Sequence, residues 1–144
     1  MTATCRESCC NVTPRLTVSE LFERGWRRNR AATRAVEGAR CSNADGYSAC
    51  FSLDVADGKI AGVGFRASSC ATLLAYCEYI AEIVPGYGLD IATALTAKNL
   101  IENLPGVPAL KQDRAVLAIA AFRAALAAAA QSRTLEDVTL ERSP

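Results

Sequence analysis

The sequence predicts an α+β domain, a small antiparallel sheet built on one hairpin and packed against helices. Three observations carry that prediction. Residues 47–55 alternate strictly, with Tyr47, Ala49, Phe51, Leu53 and Val55 on one face and Ser48, Cys50, Ser52 and Asp54 on the other. Asp57-Gly58 then supplies the chemistry of a two-residue hairpin turn, and residues 59–67 return with Val63, Phe65 and Ala67 alternating. After Cys70 the period changes: Leu73, Cys77, Ile80 and Val84 recur at helical spacing, with Glu78 and Glu82 sharing the opposite side.

The 144 residues fit one domain, divided into a flexible cysteine-bearing tail (1–15), a folded domain (16–131) and a polar C-terminal tail (132–144). In the folded part Ser19 is expected to cap a short helix that contributes Leu21 and Phe22 and stops at Gly25. A basic stretch follows, with Arg24, Arg27, Arg28, Arg30 and Arg34 around Trp26. Its readings are a solvated, partner-facing arm, a specific protein-docking site, or a surface that stacks on nucleic-acid bases. Beyond the helix that ends near Val84, Pro85-Gly86 is a break, and a further helix is expected from Asp90 to about Leu104. Pro105-Gly106-Val107-Pro108 ends it, and a last helix spans roughly residues 111–131 with Ala115, Ile119, Phe122 and Leu126 as its apolar stripe.

Composition removes several classes of function. A formal net charge of +1 gives no whole-chain attraction to nucleic acid or an anionic membrane. With no uninterrupted apolar stretch of about 18 residues or more and a polar start, the protein is expected to be cytoplasmic. The chain has no histidine, so Ser-His-Asp and Cys-His pairs and histidine metal sites are excluded. No phosphate-cradling glycine motif is present. The seven cysteines, odd in number, argue for thiol or metal chemistry rather than a disulfide framework, and none are spaced Cys-x-x-Cys. Cys5, Cys9 and Cys10 are either incidental exposed thiols or a cluster that lends a ligand or a sulfur acceptor. Cys50 is expected as a surface thiol and Cys77 as core material.

Cys70 stands apart because it sits where a strand hands over to a helix N-terminus. Unpaired amides and the positive end of the helix dipole favour a thiolate there, able to act as nucleophile, persulfide carrier or metal ligand. The bland alternative is a buried structural cysteine. Iron–sulfur centres want three or four thiolates or equivalents, and the donors expected to approach Cys70 are Cys41 and Asp45, before the first long strand, and Asp113, at the start of the last helix. Asp113 is equally explained as a charge favoured by the helix dipole. Arg114 offers a fixed guanidinium able to pair with Asp45, Asp113 or the Cys70 thiolate in place of metal charge.

Several segments, taken in order over about residues 19–130, resemble the IscU/NifU (also SufU) iron–sulfur cluster assembly scaffold family. Leu21-Phe22-Glu23-Arg24 through Trp26-Arg27-Arg28-Asn29-Arg30 looks like its first helix and aromatic-Arg-Asn-Pro-Arg segment, without the proline. Gly58-Lys59-Ile60 through Phe65-Arg66-Ala67-Ser68-Ser69-Cys70 resembles the strand that ends in the second ligand cysteine. Asp90 to Leu95 with Lys98-Asn99, and Leu117 to Leu126, are similar to two later helices. Where the family has Cys-Gly-Asp, a gapless match gives Asp45-Gly46-Tyr47, with Cys41 nearby; where it has a third cysteine, this chain has Asp113-Arg114.

The resemblance implies an α+β scaffold, not itself an enzyme, that accepts sulfur from a cysteine desulfurase. It would carry a transient iron–sulfur cluster, or iron or zinc, through Cys70 and Cys41 with Asp45 and Asp113 as further donors. Other cluster-assembly proteins would be its partners, with neither nucleic acid nor membrane, and its own state a monomer or weak homodimer. The alternatives are a degenerate paralogue that binds assembly partners and no cluster, or a small thiol-based sulfur carrier or redox sensor.

Overall fold

A computed structural model describes residues 17–142, with side chains to residue 132. Cys5, Cys9, Cys10 and the tail 1–15 lie outside the described residues.

Helix α1 (Val18–Arg28) starts one residue pair earlier than expected. Thr17, not Ser19, is the N-cap: its hydroxyl accepts from the Glu20 amide while the Glu20 carboxylate takes the Thr17 N–H, a reciprocal capping box. Gly25 does not end this helix. It is buried inside it, where a Cβ would lie 2.7 Å from the Leu74 carbonyl oxygen, so it marks a close helix–helix approach.

Two short strands, β1 (Val36–Glu37) and β2 (Cys41–Ser42), lead to β3 (Ser48–Ala56) and β4 (Lys59–Ala67). Strand β3 is central and every pairing is antiparallel; β4 runs along one edge, with Phe51 opposite Phe65 and Leu53 opposite Val63. Along the other edge Val36 faces Leu53 and Cys41 faces Ala49. The turn is as the sequence indicates: Asp57 and Gly58 have φ of 55° and 75°, the left-handed pair that matches the twist of a two-residue hairpin.

Alternation along β3 correctly assigns Ala49, Phe51 and Leu53 to the core, but the opposite face is not open. Residues 32–34, and Gly38 just after β1, lie against it. The Arg34 N–H donates to the Ser52 hydroxyl at 2.9 Å, and the Cys50 thiol points to the Gly38 carbonyl at 3.1 Å. Cys50 is therefore buried, not the surface thiol expected, and burial pushes its pKa up, with Glu37 adding to the effect.

Helix α2 (Ala71–Ile83) begins after Cys70 and buries Leu73, Cys77 and Ile80, followed by Val84 at its C-cap. The opposite side, which carries Glu78 and Glu82, is covered by α1. Glu78, only 1% exposed, takes a two-pronged hydrogen bond from Arg28 at 2.7 and 3.1 Å, and Glu82 takes one from Arg24 at 3.0 Å. A third Arg28 donor reaches the Val63 carbonyl, so this arginine ties α1 to both α2 and the sheet. Arg34 also pairs with Asp54, so much of the basic arm works inside the domain.

The helix expected from Asp90 is two, α3 (Leu89–Thr93) and α4 (Ala97–Asn103). Thr96 interrupts it, capping α4 reciprocally with Asn99. After a turn of 3₁₀ helix at Ala109–Lys111 comes α5 (Asp113–Arg142), whose backbone stays helical past the expected end at residue 131. By length and composition 109–132 would suit a membrane span, but Ala115, Ala118, Ala121, Phe122 and Ala125 are fully buried in this domain's core, with Phe122 edge-on to Phe51 at 5.5 Å.

Candidate functional site

Cys70 stands at the junction of β4 and α2, half-buried, in extended conformation as the N-cap residue, and its thiol makes no capping bond. The backbone ahead of it is pinned on two sides. Asn29, at the end of α1, donates from its amide to the Ala67 carbonyl at 3.1 Å and accepts the Ala67 N–H at 2.8 Å. Ser68 exchanges bonds with Ser48: its N–H reaches the Ser48 carbonyl and its hydroxyl accepts the Ser48 N–H at 2.8 Å. The sulfur is thus presented by a strand end with little freedom to wander.

Opposite it is the start of α5. The Arg114 side chain is about 10% exposed and gathers the neighbouring acidic groups. One Nη lies 2.6 Å from Asp113 Oδ1 and 3.8 Å from Asp45 Oδ2, and the guanidinium carbon sits 4.6 Å above the Tyr47 ring. Its hydrogen bonds to Asp113, then to Cys70 and Tyr47, hold its pKa above the ordinary arginine value. The buried Nε has no partner.

Asp45 reaches this point because Asn43 shapes the loop between β2 and β3. The Asn43 side-chain oxygen accepts the N–H groups of Asp45 and Tyr47, and Gly46 takes the left-handed conformation (φ 88°). The structure therefore brings Cys70, Asp45 and Asp113 together around Arg114. Cys41 is engaged elsewhere: its thiol faces the Ala39 carbonyl at 3.9 Å and the side chain packs on the core. Among the described residues, no group of three or more cysteine, aspartate and glutamate side chains is arranged to hold a metal ion. A guanidinium amid the donors repels a divalent ion and ligates nothing, so the set as found does not fit one.

Tyr47 and Asn29 are site residues that patterning alone does not single out. Tyr47 reads as an ordinary strand position, and Asn29 as the end of a basic segment. Asn43 had a usable signal, an Asn two residues before Asp-Gly in a short connection.

A family model described as the NifU-like N-terminal domain matches residues 24–135. The chain belongs to that family. The NifU-like family is one of scaffolds for iron–sulfur cluster assembly, and the α+β architecture above is its fold. No curated protein sequence matches the chain. Among solved structures, the chain is similar to a protein assigned as an iron–sulfur cluster assembly scaffold for the SUF system from Fervidobacterium islandicum AW-1, at 16% identity over 74% of this chain and 94% of that one, with a TM-score of 0.52. It is also similar to the N-terminal part of a nitrogen-fixing NifU-like protein from Brucella abortus, at 22% identity over 81% and 92%, with a TM-score of 0.44.

Proposed function

We propose that this NifU-like protein takes part in cluster assembly as a sulfur acceptor, with Cys70 the atom that carries the sulfur. The observation behind this reading is the half-buried Cys70 thiol at the N-cap of α2, free of any capping bond and presented by a strand end pinned through Asn29 and Ser48. The thiol is exposed enough to meet a donor, and the attacking form of any thiol is its thiolate. Attack by Cys70 Sγ on the outer sulfur of a donor persulfide forms a new S–S bond. The donor's own S–S bond breaks, its thiolate leaves, and Cys70 holds the persulfide. A cysteine desulfurase is the class of partner that supplies such a persulfide, and the cytoplasm is the compartment this chemistry suits.

A bound iron or zinc ion on Cys41, Asp45, Cys70 and Asp113 gains less support, because Cys41 is engaged elsewhere and Arg114 fills the space among the other three.

Incubating the reduced chain anaerobically with a cysteine desulfurase and cysteine tests the reading. Intact mass should rise by one sulfur, with peptide mapping placing it on Cys70. A Cys70→Ser variant that gains the same sulfur would sink it.

A further inference from the structure

The chemistry around Arg114 carries a consequence for metal ions, resting on the reading of Cys70 as the sulfur-bearing atom. Two carboxylates, Asp45 and Asp113, lie against the Arg114 guanidinium at 3.8 and 2.6 Å, and the Cys70 thiol is on the same side of the site, among the groups that raise the Arg114 pKa. The positive charge among them belongs to a side chain of this chain. The guanidinium is about nine-tenths buried, permanently charged, braced on the Tyr47 ring and hydrogen-bonded to Asp113. Its buried Nε–H, which has no partner, is a donor and not a ligand.

We infer that Arg114 is a built-in counter-cation, which neutralises the Asp45–Cys70–Asp113 cluster and keeps divalent metal ions out of it. The prediction is asymmetric. Removing the guanidinium removes the charge that repels a divalent ion and leaves one thiol and two carboxylates, residue types that zinc, ferrous iron and cobalt accept once the ion displaces the thiol proton. Keeping a positive charge there, even on a different side chain, preserves exclusion.

Cobalt(II) provides the probe, since thiolate ligation gives a charge-transfer band. The full chain, Arg114→Ala, Arg114→Gln, Arg114→Lys and the double variant Arg114→Ala/Cys70→Ser are titrated anaerobically after circular dichroism establishes which are folded. Wild type and Arg114→Lys should show no Cys70-dependent band. Arg114→Ala and Arg114→Gln should bind one equivalent at least about tenfold more tightly than wild type, the gain expected from removing one close like charge. The double variant should lose the band. Wild type binding cobalt through Cys70 overturns the inference, as does a folded Ala or Gln variant that binds no more tightly than wild type. Either failure leaves sulfur loading of Cys70 untouched, and a failure of sulfur loading leaves the cobalt result standing, so the two readings fall separately.

Discussion

Replacing Asn29 by alanine should loosen the one strand end that presents Cys70. The side chain makes two hydrogen bonds to the backbone of Ala67, at 2.8 and 3.1 Å, from a half-buried position. Each is worth about 1 kcal/mol net, and truncation leaves an N–H and a carbonyl with reduced access to water, so the loss should be about 2–3 kcal/mol. In urea this corresponds to a midpoint lowered by roughly 1–2 M with little change in slope. Asn29→Asp keeps the acceptor for the Ala67 N–H and loses the donor, so it should fall between wild type and alanine. Unfolding followed by circular dichroism gives the stability, and the yield of Cys70 persulfide under limiting donor gives the functional effect. Because Asn29 touches the backbone three residues before the cysteine and not the sulfur itself, persulfide yield should fall while the location of the sulfur stays the same. An alanine variant within about 0.5 kcal/mol of wild type would refute the reasoning, since that is the range of surface changes that touch nothing.

Two further outcomes follow from the α1–α2 contact. Gly25→Ala adds helix propensity of about 1 kcal/mol but places a methyl 2.7 Å from the Leu74 carbonyl, and overpacking costs about 1–3 kcal/mol, so thermal unfolding should show a net loss; a raised midpoint would mean the helices are further apart than described. Burial pushes Glu78 up to about 7 against the pull of Arg28, from an ordinary 4.5, so the folded form holds a proton there that the unfolded form has released. That contribution favours folding most below about pH 4.5 and is lost as pH rises to about 7. Glu78→Gln should therefore gain stability relative to wild type across this window, and a constant difference between the two in urea titrations at several pH values would contradict the shift.

How much of this was legible in the sequence depends on whether a signal was local. The hairpin was, because Asp57-Gly58 and a period of two are both properties of adjacent residues. The burial of Cys77 and the stripe on α5 were too. The burial of Cys50 was not, since the groups over it, Glu37 and Gly38, belong to a two-residue strand and its exit, too short to show a period. Glu78 reads as a solvated charge until α1 is laid across it with Arg28 facing inward. Gly25 has two opposite readings, helix stop or close approach, and only the position of Leu74 separates them. At the candidate site, the approach of Asp45 and Asp113 to Cys70 was visible as a possibility of residue types. The pairing of Arg114 with Asp45 and Asp113 was among the options those residue types offered, whereas that Cys41 would face its own carbonyl neighbour depended on the local path of the chain.

Gly38 has a role at a distance. A Cβ there would lie 2.5 Å from the Ala125 backbone, so sheet edge and helix α5 touch main chain to main chain, with no side chain between them to act as a bearing. At about 1.5 Å of rise per residue, Arg114 is roughly 16 Å up the same rod. Rotating α5 by a single residue step would swing Arg114 by about 100° and carry it off the sulfur. The clamp at the far end thus sets the azimuth of the guanidinium, and a bulky residue at position 38 should disturb chemistry it never meets.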